Sequence, residues 1–379
     1  MVSVSVELAA ADMPRTPHLL HILPTFGVGG IQVRLVQVIN SFGPRYRHTI
    51  VSLDGITSCL GRVEPGNIVV PLPFPRAPGR SLPPVWRIRQ ELAERRPDLL
   101  LTYNWGSIDW AIANRFFSLA AHVHFEDGFG PQEADTQLRR RVLIRRFALA
   151  ATRKVVVPSE TLSRLALHDW RLDPDRVLRI PNGIDVDAFS SSRDKNRLFE
   201  RRPDELVVGT IAPLRREKNI GRLIRAVARA GNTRLRLVVA GEGPERGALE
   251  REARELLGER ALFIGSVAEP SRALRDFDIF ALSSDTEQMP MAILEAMAMA
   301  LPIVAVAVGD VPVMIADENR RFIVERHDEA GLGVAIAQLA EDGALRSRLG
   351  ELNERHVRTT FPLDRMIASY DGLLTSIIR

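Results

Sequence analysis

Two carboxylates eight positions apart, Glu287 and Glu295, are the residues of this 379-residue chain that most invite a chemical reading. They lie in LSSDTEQMPMAILEAMAMALPIVAVAVG, Leu282–Gly309. The run FDIFALSS (Phe277–Ser284) predicts a strand, and a short polar loop follows it. Pro290 opens an Ala/Met/Leu-rich helix, where its missing N–H has no partner to lose. Pro302 closes that helix by pushing its predecessor out of helical space. PIVAVAVG (Pro302–Gly309) then predicts a second strand, giving one unit of a parallel sheet. Glu287 falls just beyond a strand's carboxyl end, where open α/β sheets bind ligands. Glu295 has Met291, Ala292, Ala298 and Met299 three and four positions away. A carboxylate on such an apolar face is costly to bury without a partner, and that points to a ligand. The bland alternative is two solvated glutamates.

Four further groups could do chemistry. Leu214-Arg215-Arg216-Glu217-Lys218-Asn219 sets three cations at a helix start, against the preference of the macrodipole. A bound anion explains them; a solvated charge cluster is the alternative. In His122-Val123-His124-Phe125-Glu126-Asp127-Gly128, strand alternation puts His122, His124 and Glu126 on one face and Asp127 on the other. In Gly27-Val28-Gly29-Gly30, glycines permit close backbone approach to a phosphate at a helix N-terminus, or simply a tight turn. No glycine completes the dinucleotide fingerprint there, so that cofactor is rejected. Gly241-Glu242-Gly243-Pro244 reads as a turn and helix start. Asp276-Phe277-Asp278 and Asp173-Pro174-Asp175 mimic a metal motif, but one enters a buried strand and the other a turn. Neither has further ligands nearby, so no metal and no cofactor is expected.

The unit Glu287, QMPMAIL, Glu295-Ala296, closed by a Pro-led strand, resembles the signature of the retaining glycosyltransferases of family 4. The resemblance implies an α/β chain of the GT-B fold: two Rossmann-like domains facing across a cleft, with a C-terminal helix crossing back to the first. It implies a nucleotide-sugar donor as co-substrate and a sugar or lipid-linked acceptor, in polysaccharide, glycolipid or other glycoconjugate synthesis. By the same resemblance Glu287 meets the donor sugar, Glu295 holds the ribose, and Lys218 takes the diphosphate. The family's Arg, five residues before that Lys, is Pro213 here, and Arg215 or Arg216 is the candidate replacement. Gly29 and Gly30 match the family's glycine loop beside the donor phosphates. Met289, Pro290 and Met291 stand in the donor-binding segment, which is usually glycine-rich. Either His124 or Asp127 matches the family's catalytic-centre His. Val313 stands where similar proteins often have Glu. A nucleotide-sugar epimerase of the same fold and a non-catalytic nucleotide-sugar-binding protein are the competing readings.

The elements that must position these residues come in two alternating series. LLHILPTF, HTIVSL, NIVVPLP, LLLTY, AHVHFED and KVVVPS predict strands of a first domain, residues 1–185. ELVVGTIA, RLRLVVAG, ALFIG, the Glu287 unit and RFIV predict a second, residues 186–379. The turn at Pro181-Asn182-Gly183 marks the change, and a last helix over about 362–379 returns to the first domain. A chain of this length, 45% apolar and 26% charged, suits two ordinary globular cores. The single cysteine, Cys59, excludes an internal disulfide and suits a reducing compartment. No apolar run is long enough to span a membrane, and MVSVSVELAAADMPRTP reads as a loose tail without a leader's pattern. A cytoplasmic place is expected. Residues 1–183 hold 23 basic and 16 acidic side chains, and the rest hold 28 and 31. The basic half, densest in Gln137–Lys154, suits an anionic acceptor or peripheral contact at the inner membrane face rather than nucleic acid.

Overall fold

The computed structural model describes residues 16–74, 85–129, 131–133, 136–191 and 197–378. The expected N-terminal tail and most of the proline-rich stretch after Pro71 lie outside them. Strands β1 (His18–Leu23), β2 (Arg47–Ser52), β3 (Ile68–Pro73), β4 (Leu99–Tyr103), β5 (Ala121–Phe125), β6 (Lys154–Val157) and β7 (Val177–Arg179) form one sheet in the order β3-β2-β1-β4-β5-β6-β7. Strands β8 (Leu206–Ile211), β9 (Leu235–Ala240), β10 (Ala261–Gly265), β11 (Ile279–Leu282), β12 (Ile303–Val306) and β13 (Ile323–Val324) form a second, in the order β10-β9-β8-β11-β12-β13. Every pairing of the second sheet is parallel. So are β1–β2, β2–β3, β1–β4 and β6–β7 of the first. β1, β4, β11 and β12 are buried along their whole length, because a parallel sheet carries helices on both faces. Strand order reverses direction at β1/β4 and at β8/β11, and such reversals open a crevice at the strands' carboxyl ends.

The sheets change between β7 and β8, while the compact units divide earlier, into Met1–His124 with Leu374–Arg379 and Phe125–Leu373. Within the second unit the Pro181-Asn182-Gly183 turn meets the start of the last helix, Leu363–Ile378. Ile184 donates to Phe361 O at 3.0 Å and accepts from Leu363 N at 3.1 Å. A Cβ on Gly183 would stand 2.9 Å from Leu363 Cα, so the two backbones meet only because that residue is glycine. The end of the same helix belongs to the first unit, where Arg45 donates to Thr375 Oγ1 at 3.0 Å.

The first unit buries histidines along its sheet. His21 shares hydrogen bonds with Tyr103 OH at 3.0 Å and His48 Nδ1 at 2.9 Å, and His18 Nε2 pairs with Thr49 Oγ1 at 2.8 Å. Thr102 Oγ1 lies 2.7 Å from His122 Nε2 and 2.8 Å from His124 Nδ1. Burial, reinforced by neighbouring His48, holds His21 well below the usual imidazole range, and burial brings His48 to about 4. Burial and then His124 depress His122 in the same direction. These rings are neutral in the fold and titrate near 6.5 once unfolded, so the unfolded chain binds the extra protons. Stability is therefore full above pH 6.5 and falls as pH drops towards 4, by about 1.4 kcal/mol per pH unit for each histidine involved. The urea midpoint is expected to be clearly lower at pH 5 than at pH 7.5. Equal midpoints at the two pH values would contradict a neutral, buried histidine set.

Candidate functional site

β8 and β11 are neighbours, so the loops leaving their carboxyl ends meet although they lie far apart in sequence. The β8 loop is fixed first against the loop after β9. Leu214 N donates to Glu242 O at 2.8 Å, and Glu245 N donates to Leu214 O at 3.0 Å. A Cβ on Gly241 would stand 1.8 Å from Ala212 O, and one on Gly243 would stand 2.3 Å from Leu214 O. Gly241-Glu242-Gly243 is thus the backbone support of the Lys218 loop. Arg216–Lys218 forms one tight turn, and Asn219, at φ 44°, caps the next helix, Ile220–Arg229, by accepting from Arg222 N at 3.2 Å.

From that support Lys218 Nζ donates to Glu287 Oε1 at 2.5 Å. Ser284 Oγ donates to the same oxygen at 2.7 Å. The side chains are 20% and 11% exposed, so the pair stands at the surface of a recess. Asp285 N donates to Glu217 O at 2.8 Å, and Ser283 Oγ donates to Lys218 O at 3.1 Å. Buried Arg222 locks the two loops together. It donates to Ser283 O at 2.9 Å and to Asp285 Oδ1 at 2.6 Å, while Asn219 Nδ2 donates to both Asp285 oxygens.

The far end of the β11 loop is held as firmly. Gln288 Oε1 accepts from Ser159 Oγ at 3.1 Å, and Gln288 O accepts from Asp310 N at 2.8 Å. Asp310 in turn caps the helix Glu160–His168. Its carboxylate accepts from the backbone N–H groups of Glu160 and Thr161 at 2.6 and 3.0 Å, and from Thr161 Oγ1 at 2.9 Å. Gly309 sits at φ 53°, and a Cβ there would stand 2.3 Å from Glu287 O. Met289 is buried, and its carbonyl and sulfur accept from Asn182 Nδ2 and N. Pro290 is the cap rather than the first helical residue, with ψ 125°, and the helix runs Met291–Ala298. Met291 and Glu295 are half-buried on it, beside fully buried Ile293, Leu294, Ala296 and Met297.

Arg215 and Arg216 are exposed. Gly29 caps the helix Gly30–Phe42 in the first unit with no side-chain cap. The two alternatives for the remaining catalytic position take different surroundings. His124 is fully buried on Thr102, whereas Asp127 is half-buried in a loop that reaches Gln288, since a Cβ on Gly128 would stand 3.5 Å from Gln288 Cγ. That loop is pinned by Arg145, which is wholly buried. Its Nε donates to Glu126 at 3.3 Å and its Nη1 and Nη2 donate to Glu133 at 3.1 and 3.2 Å, with the guanidinium 5.1 Å from both the Phe129 and Trp170 rings. Burial raises the Glu133 carboxyl, but Arg145 and Arg141 pull it net below the usual range. Arg145, Arg222 and Asp310 escape sequence reasoning. Arg222 left one signal, a cation three positions after a capping Asn.

The look-alike metal motifs serve structure. Asp278 Oδ2 accepts from Val207 N at 2.7 Å and from Arg201, and Asp173 caps its own turn through Asp175 N. A cavity of about 640 Å³ opens beside Glu287, lined also by Asp285, Gln288, Phe129, Arg146 and Arg171.

Two parallel α/β sheets, the second with a glycine-supported loop at its switch point, define a GT-B fold. Solved structures agree. Anabaena HepE, crystallised with UDP-glucose, superposes with a TM-score of 0.78 at 18% identity, over 95% of this chain and 99% of that one. Residues 28–188 match Glycosyltransferase Family 4, and residues 192–356 match Glycosyl transferases group 1. Together the two matches cover most of the chain and support a glycosyltransferase of the family 4 type. Among curated proteins it is 27% identical to D-inositol 3-phosphate glycosyltransferase of Streptomyces avermitilis, over 71% of this chain and 64% of that protein. It is 31% identical to the putative glycosyltransferase EpsF of Bacillus subtilis, over 42% of this chain and 44% of that protein. The chain spans about half the length of most of the curated relatives it matches.

Proposed function

We propose that the protein transfers a sugar from a nucleotide-sugar donor to an acceptor hydroxyl, with retention of anomeric configuration. The observation that carries the reading is the Lys218–Glu287 pair at the β8/β11 switch point, a cation and an anion side by side at the edge of a recess. Transfer needs both. The bond from the anomeric carbon to the diphosphate oxygen breaks, and its electron pair leaves with the diphosphate. Lys218, with Arg215 or Arg216, meets that growing negative charge. Glu287 stands where the anomeric carbon turns positive, and fixed charge in a partly dry recess is worth far more than in water. The acceptor oxygen then bonds to the same face of that carbon, and its proton passes to the departing diphosphate oxygen. Glu295 holds the ribose in this reading, and Gly29 and Gly30 with Met289, Pro290 and Met291 complete the donor contacts. Asp127 or His124 meets the sugar. The cations carry the leaving group without a metal.

Peripheral membrane contact is part of the same proposal. No helix among the described residues is long and apolar enough to cross a membrane. The helix Arg139–Leu149 turns Arg145 inward, and leaves Arg139, Arg140, Leu143 and Phe147 exposed along one stripe. Two arginines beside two apolar side chains suit an anionic leaflet.

Two measurements follow. Glu287→Gln should keep the melting temperature within a few degrees yet lower turnover by ~10²–10³, the usual cost of one lost electrostatic contact in the transition state. Near wild-type transfer would remove Glu287 from the mechanism. Co-sedimentation with anionic vesicles should be detectable at low salt and fade at moderate salt, as screening requires. No difference between anionic and neutral vesicles at low salt would sink the docking idea.

A further inference from the structure

The cavity beside Glu287 has a charge balance that the donor does not explain. Its volume of about 640 Å³ lies within the usual range for one small-molecule site. Among the described residues, four carboxylates line it: Glu133, Asp169, Asp285 and Glu287. Three of these already have cations. Glu287 holds Lys218, Asp285 holds Arg222, and Glu133 holds Arg141 and Arg145. The fourth, Asp169, is exposed and accepts from Gln137 Nε2 at 3.3 Å. Those four neutralising cations are not themselves lining residues. The cavity wall has three arginines of its own, Arg146, Arg171 and Arg326, and of these Arg146 and Arg171 have no carboxylate partner among the described residues. Arg146 is steadied by donating its Nε to Asp169 O at 2.7 Å, a backbone acceptor that leaves the guanidinium charge unbalanced. His168 stands on the same wall.

A preformed recess with uncompensated guanidinium groups is a site for an oxyanion, because Arg binds phosphate and carboxylate through paired N–H donors. The donor's diphosphate is already assigned to Lys218 and its neighbours, which lie outside the lining. A second cationic set on the same recess as Glu287 calls for a second anion. We propose that this cavity receives the acceptor, and that the acceptor carries an oxyanion, a phosphate or a carboxylate, gripped by Arg146 and Arg171 so that its hydroxyl comes to Glu287. The inference rests on the glycosyltransfer reading and adds the acceptor's chemical class to it.

Calorimetry on the full chain with glucose 6-phosphate, glucuronate and glucose as probes tests it, with UDP titrated separately. At least one charged probe is expected to bind about tenfold or more tightly than glucose, and the arm that wins tells phosphate from carboxylate. In the Arg146→Gln/Arg171→Gln variant that advantage should disappear while UDP affinity stays as in the wild type. Should the double variant lose its melting transition, Arg171→Gln alone, at an exposed position, is expected to remove at least half of the advantage. Equal binding of the three probes, no binding of any, or an advantage that survives the substitutions would overturn the proposal. Failure of UDP to bind the wild type would instead count against the donor reading, whatever the probes do.

Discussion

The ion pair between Lys218 and Glu287 is the interaction on which the rest of the site depends. Its members are 69 positions apart, and only the β8/β11 adjacency brings them to 2.5 Å. A partly buried pair of this kind needs hydrogen bonds that satisfy its remaining atoms, and Ser284 supplies one to Glu287. The backbone around it is held by close approaches that exclude side chains. Gly241 and Gly243 lay the 241–243 loop on the β8 loop, and Gly309 lays the end of β12 on the β11 loop. Arg222 and Asp285 then tie the two loops to each other. Geometry that tight before any ligand arrives is what electrostatic preorganisation requires, since the charges need not be gathered at the moment of reaction.

The same pair implies competition. Glu287 and a diphosphate would compete for the single positive charge of Lys218, although its ammonium has three N–H donors. In the proposed reading a donor draws the lysine away and leaves Glu287 free to face the sugar. On that proposal the pair goes from a self-neutralised state to one in which cation and anion each meet a complementary part of the donor. The surrounding network has no such freedom, because Asp310, Gln288, Asn182 and Met289 are bound to backbone or buried groups.

Much of this was legible in the sequence because strands, prolines and glycines punctuate it strongly. The strand ending before Glu287, the helix after Pro290 and the turn at Lys218 stand within a few residues of their expected bounds. Such ends shift easily, since the cap geometry at Pro290 decides whether it counts as helix. What the sequence did not reveal is long-range. Nothing local says that Arg145 turns inward onto Glu126 and Glu133, or that Asp310 caps a helix 150 positions away. The run of arginines in Gln137–Lys154 reads as one basic sector, yet packing divides it among a buried clamp, a cavity wall and an exposed stripe. The histidines show the converse, because His122 and His124 do lie on one face but share a single threonine hydroxyl.

The competition between Glu287 and a diphosphate for Lys218 is the central claim, and one titration tests it most directly. Nucleoside diphosphate affinity should be measured by calorimetry in the wild type and in Glu287→Gln. Removing the carboxylate charge releases the lysine and relieves repulsion with the phosphates, so the variant should bind the diphosphate more tightly, by about fivefold or more. Weaker binding in the variant would mean that Glu287 positions the lysine for the ligand rather than competing for it, and would contradict the account.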